Sequence, residues 1–170
     1  ESNAIVVNRD GYMISGELSN ATGRIYAVSS TEDLEITKDN IKTVKGVESY
    51  EFRGDKINYQ FSNKNGEAYN VYYALTNLNG EVTTEIYKAS VGVVDISTPA
   101  EFKKIANGEK IGEEAPATTI YKLSGDIDFS GIAWERKASE KPSAFTGLLN
   151  GAGYTVKNVS VTGDNQVAGL

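Results

Sequence analysis

The stretch Phe145–Val161, FTGLLNGAGYTVKNVSV, decides how the second half of the chain is read. Glycines at 147, 151 and 153 cut it into apolar steps too short for a helix. Asn150-Gly151 is a turn pair, because glycine enters positive φ without a Cβ clash. Val156, Val159 and Val161 are expected to point inward. Similar steps come earlier, in TIYKLSGDIDFSG: Tyr121 alternates with Leu123, and Ile127 with Phe129. The glycines form no phosphate loop, since no Lys-Ser/Thr follows them.

Ahead of these steps lies STPAEFKKIANG, which carries every signal of a short helix. Thr98 caps it, Pro99 takes the first helical position, and Glu101 closes a capping box. Phe102, Ile105 and Ala106 form the expected buried stripe, and Asn107-Gly108 ends the helix. EKIGEEAPATT, with Glu113 and Glu114, reads as a polar loop.

The first part of the chain reads as antiparallel strands. Two apolar runs flank Asp10-Gly11. In GRIYAVSS, Ile25, Ala27 and Ser29 share one face, and Tyr26 and Val28 the other. TKDNIKT, with its single Ile41, predicts a helical turn or loop. Tyr50 and Phe52 alternate, as do Ile57, Tyr59 and Phe61. Asn65-Gly66 and Asn79-Gly80 turn the chain before strands Tyr69–Leu75 and Val82–Val91. Strands of this length and spacing predict an antiparallel β-sandwich.

Composition excludes several functions. The 170 residues carry 17 Lys plus Arg against 23 Asp plus Glu, a net charge of −6. An acidic chain without a basic run is a poor match for nucleic acid or anionic membranes, so neither is an expected partner. There is no cysteine and no histidine. Thiol catalysis, disulfides, a Ser-His-Asp triad and an H-E-x-x-H zinc site are therefore excluded. No apolar run approaches the roughly 18 residues of a membrane helix, and no signal peptide is visible. The start, ESNAIVV, reads as a cut edge.

Two family resemblances follow from these residues. Gly23 to Val91, through GRIYAVSS, TKDNIK and YNVYYALTNLNGEVTTEI, resembles a fibronectin type III-like module of bacterial surface proteins. Asp95 to Leu170 resembles the opening of a right-handed parallel β-helix. It is similar to the segment before the glycine-rich GLUG repeats of adhesin-like proteins and of immunoglobulin-A1-type metalloproteases of Gram-positive bacteria. Ala152 stands where that pattern usually has Asn.

The expected architecture is mainly β: a fibronectin III-like sandwich over 1–93, then a capping helix and truncated β-helix over 94–170. Phe145, Leu149, Val156 and Val159 would be inward rungs of a first coil, with the glycines at its corners. VAGL at the end would begin the next coil, with further domains after Leu170.

The resemblance implies a secreted or cell-surface, non-catalytic region that spaces or presents other domains. A host protein or a glycan is the implied partner. Two alternatives belong to other classes: the accessory region of a secreted zinc metalloprotease, and a fragment of a β-helix carbohydrate-active enzyme. No catalytic residue and no cofactor is assigned. Asp126 and Asp128 in GDIDFSG are the sole calcium candidates, set against an ordinary role in binding turn N–H groups. An outward tyrosine in YNVYYAL would suit a sugar ring, set against cross-strand packing. Trp134, the single tryptophan, is expected to plug a coil end or cover the domain junction.

Overall fold

The computed structural model describes residues 3–113, 115–135, 145 and 147–162. The chain divides into two compact units, Glu1–Gly92 and Val93–Leu170. Among the described residues it is mainly β, with one short α-helix.

In the first unit, Asn8 Oδ1 accepts the N–H groups of Asp10 and Gly11, both at 3.1 Å. The bonds reverse the chain between β1 (Ala4–Asn8) and β2 (Gly11–Ser30). The turn centres on Arg9-Asp10 rather than on Asp10-Gly11, because Gly11 already pairs with Asn8. β2 is twenty residues long and runs antiparallel to β3 (Glu48–Ser62) over most of its length.

Neither strand is straight. The ends of a straight fifteen-residue strand lie roughly 45 Å apart. In β3, Ser62 N–H donates to Glu48 Oε1 at 2.8 Å. Tyr50 stacks on Tyr59 with ring centroids 5.2 Å apart. The strand therefore folds over, and Gly54, at φ 109°, supplies a conformation that other residues resist. The β2 register breaks between Glu17 and Ala21, and Asn20 there has φ 41°.

Each half of β2 thus has its own neighbours. Gly11–Glu17 lies between β1 and the second half of β3. Arg24–Ser30 pairs on one side with β4 (Tyr69–Thr76), which pairs in turn with β5 (Tyr87–Ile96). The other side of that half takes the first half of β3. Aromatic rings join the two sets of strands: Tyr12 stacks on Phe61 and also meets Tyr69 of β4.

β4 is buried on both faces. Val71, Tyr73 and Leu75 face one way, registered against Ser29, Ala27 and Ile25. Tyr72 and Ala74 face the other way and form a second core with Val28 and Ile41. The segment between β2 and β3 covers this second core. It is the expected helical turn, with Ile41 N–H donating to Thr37 C=O and Val44 N–H to Asn40 C=O. Ile41 is fully buried.

One strand is shorter than expected. Val82–Ile86 makes only an isolated bridge, Thr76 to Val82, and regular pairing starts at Tyr87. The Thr84 hydroxyl accepts the Leu75 N–H, and Thr83 N–H donates to Leu75 C=O. These threonine bonds take the ladder positions at the end of β4.

In the second unit, α1 (Pro99–Ala106) has the full capping box. Glu101 Oε2 accepts the N–H groups of Ser97 and Thr98, and Thr98 Oγ1 accepts the Glu101 N–H. These bonds, the Ser97 one first, hold the Glu101 carboxyl below its usual range. Such a cap contributes about 1 kcal/mol. Phe102 and Ile105 are buried, but Ala106 is exposed. A methyl at the last turn, next to the Asn107 cap, falls outside the narrow stripe that this short helix buries.

Six short strands follow: β6 (Thr119–Leu123), β7 (Ile127–Asp128), β8 (Trp134–Glu135), β9 (Leu148–Asn150), β10 (Val156–Lys157) and β11 (Val161–Thr162). They pair in parallel, β6 with β9, β7 with β10 and β8 with β11. The registered pairs are Ile120–Leu148, Ile127–Val156 and Trp134–Val161. The chain thus traverses three short strands and then repeats them, each on its predecessor. The core gathers Ile96, Tyr121, Leu123, Ile127, Phe129 and Trp134 with the helix residues Phe102 and Ile105.

Residues 147–162 thus supply the second set of these strands, not the first, because 119–135 already holds the strands on which they pair. Val156, Val159 and Val161 pack on the core, as the sequence suggests. Phe145 and Leu149 do not become buried: they are 40% and 39% exposed. The Phe145 ring lies 5.8 Å from the buried Tyr121, and Leu149 is registered against Tyr121. Among the described residues, β9 has no strand on its other edge to cover them. The expected coil start at VAGL lies outside the described residues.

Candidate functional site

Asp126 and Asp128 flank Ile127, whose side chain is fully buried, so the strand turns both carboxylates outward. Asp128 Oδ1 accepts three hydrogen bonds: from Ser130 N–H at 2.9 Å, Ser130 Oγ at 2.7 Å and Asn158 Nδ2 at 2.8 Å. Asn158 also donates to Ser130 Oγ at 2.9 Å. One rung later, Asn158 takes φ 58°, a left-handed conformation that asparagine tolerates. Asp126 Oδ1 accepts the Thr155 N–H at 3.0 Å, and Lys157 Nζ stands 4.0 Å from its other oxygen.

Both carboxylates thus fasten one rung to the next. The Asn158 amide, then Ser130, holds the Asp128 carboxyl at about 2, below the ordinary aspartate range. The folded group is more acidic than the unfolded one, so its bonds contribute fully above about pH 4. They are lost as pH falls toward 2. Acid titration should loosen the second unit across that window, while Asp128→Asn removes this acid-sensitive step. The emission of Trp134 reports it. A pH profile identical in wild type and variant would overturn the assignment.

Trp134 is 4% exposed. It stacks on Phe129 at 5.9 Å and meets Phe102 edge-on at 6.4 Å. Its environment is core, with no open ring face for a ligand. Glu113 is exposed in its loop, and Glu114 lies outside the described residues. Among the described residues, no three Asp or Glu side chains gather around a common point.

For YNVYYAL the packing reading holds over the sugar-facing one. Tyr69, Tyr72 and Tyr73 are each 4% exposed. The segment between β2 and β3 covers Tyr72, while Tyr69 meets the Tyr12 ring and Tyr73 stacks on Tyr87. The Tyr72 hydroxyl donates to Asp33 and accepts the Leu34 N–H. Lys88 pairs with Asp33 and lies 5.4 Å above the Tyr72 ring. Lys88 first, then Tyr72, draws the Asp33 carboxyl below its usual range. Sequence reasoning missed this cluster: the three residues stand far apart in the chain and no local pattern joins them. Burial pushes the Tyr69 hydroxyl up to about 12.

A shallow groove of about 920 Å³ lies at the β2 bend, lined by Ser15–Ser19, Lys56–Asn58 and Ala4. Its registered Glu17 and Lys56 are oppositely charged, and Leu18 and Ile57 are apolar residues in its lining. Among the described residues, no helix is long and apolar enough to cross a membrane. No protein-family model, curated protein or solved structure matches the chain.

Proposed function

We propose that the chain is an architectural, non-catalytic piece of a secreted or cell-surface protein, in which a fibronectin type III-like sandwich precedes the first coils of a right-handed parallel β-helix. The observation that carries this reading is the strand pairing. With β2 and β3 each counted as two strands at their bends, β1, the two halves of β2, the two halves of β3, β4 and β5 become strands A, B, C, C′, E, F and G in chain order. The first unit then has a three-stranded ladder A-B-E and a four-stranded ladder C′-C-F-G. That is the order of fibronectin type III-like modules. In the second unit, three parallel ladders repeat in chain order, the stacking of a solenoid. Right-handedness follows from the strong preference of parallel crossovers.

The polar side chains support the same reading. Asp126, Asp128, Glu101 and the Asp33–Tyr72–Lys88 cluster are all engaged in holding segments together. The role is spacing and presentation, with adhesion to a host protein or glycan as its natural extension. Antibodies raised against the purified chain should label intact cells of the producing organism without permeabilisation. Labelling only after permeabilisation would reject a surface role. Turnover of pectin or a glycosaminoglycan by the chain would reject the non-catalytic one.

A further inference from the structure

The chain has four Asn-Gly pairs: 65–66, 79–80, 107–108 and 150–151. All four serve turns, yet the structure holds them differently. Gly80 N–H donates to Asn77 C=O at 3.1 Å, and Gly108 N–H to Ile105 C=O at 3.0 Å. The Asn107 amide donates to Glu109. Asn150 Oδ1 accepts the Ala152 N–H at 2.9 Å, and its backbone is registered against Lys122 in a ladder. Asn65–Gly66 has none of these restraints. Among the described residues, neither the Gly66 N–H nor the Asn65 carboxamide meets a hydrogen-bond partner. Asn65 is exposed, and Gly66 carries no Cβ to hinder approach at its nitrogen.

We infer that Asn65 is a self-modification site, where the chain deamidates through a cyclic imide while the other three pairs are protected. The Gly66 backbone nitrogen loses its proton to base and attacks Asn65 Cγ. The new N–Cγ bond forms as the Cγ–Nδ2 bond breaks, and the amide leaves as ammonia after taking up a proton. Water then opens the imide at either carbonyl, giving aspartate or isoaspartate with no change of oxidation state. Each event changes the formal net charge from −6 to −7. The isoaspartate product also lengthens the main chain between β3 and β4 by one methylene.

The native protein is incubated at mildly alkaline pH, digested with trypsin, and the Asn-Gly peptides are followed by tandem mass spectrometry. Asn65 should convert about tenfold faster than Asn79 or Asn107, the factor set by breaking one backbone hydrogen bond. Asn150 should lag likewise. In denaturant the four rates should converge, since the restraints are gone. Asn65→Gln should remove the fast phase and leave the other three rates unchanged. Equal rates in the native protein, or earlier conversion at Asn79, would overturn the inference.

Discussion

Phe129→Ala is expected to unfold the second unit while leaving the first unit folded. Phe129 is 1% exposed and central to a small core. It stacks on Trp134 within 9° of parallel and meets Phe102 edge-on at 6.1 Å. Truncation of such a ring costs about 3–5 kcal/mol, from lost burial plus the cavity left behind. A unit of this size has a total stability of only about 4–12 kcal/mol. The substitution therefore removes a large share of what holds these strands together. Trp134 is the only tryptophan, so its emission reports on this unit alone. A strong red shift at ambient temperature is expected, with the tyrosine signals of the first unit retained. Phe129→Leu keeps most of the volume and should cost about 1 kcal/mol. Unshifted Trp134 emission in Phe129→Ala would mean that the stacked rungs do not depend on this ring.

What was legible in the sequence was local. The cap at Thr98, the turn at Asn79-Gly80 and the alternation around Ile127 each depend on neighbours within a few residues. The capping box and the outward aspartates are therefore found where the sequence puts them. What was not legible depends on partners far along the chain. The alternation in YNVYYAL leaves open which face is outward, and distant Ile41 and Leu34 pack on the Tyr72 face. Asp128 reads first as a binder of turn N–H groups, and Ser130 N–H is that partner, but nothing in GDIDFSG reveals that Asn158 will also sit beside it. Leu149 reads as buried because inward position and burial were equated. A side chain can lie on the core side of its strand and remain exposed where no further strand covers it. Ala152 is a case between the two. Its φ is 50°, a conformation that asparagine adopts more readily than alanine. An alanine tolerates that conformation only at a cost of about 1–2 kcal/mol.

Bends, rather than extra strands, give the first unit its two sets of neighbours, and the positions that permit close approach carry the most risk. Gly23→Ala is expected to destabilise this unit strongly through a backbone clash. A Cβ built on Gly23 would stand 1.7 Å from Thr76 O and 3.1 Å from the Phe52 ring. The first neighbour is backbone at the end of β4, so no rotamer change relieves it. Moving β4 away breaks the registered Arg24–Thr76 pair, together with the Arg24 N–H to Thr76 Oγ1 bond at 3.3 Å. It also opens the cover over Ile25, which is fully buried, and Leu75. Overpacking that displaces backbone in a core costs about 3 kcal/mol or more. Gly125→Ala is the control: its Cβ would meet nothing within 4 Å and its φ is unexceptional. That change should lie within about 0.5 kcal/mol of wild type. Denaturant unfolding of the first unit, followed by tyrosine fluorescence, measures the difference. If Gly23→Ala unfolds at the same midpoint as Gly125→Ala, β4 does not pass as close to β2 as its pairing requires, and the four-stranded ladder would have to be redrawn.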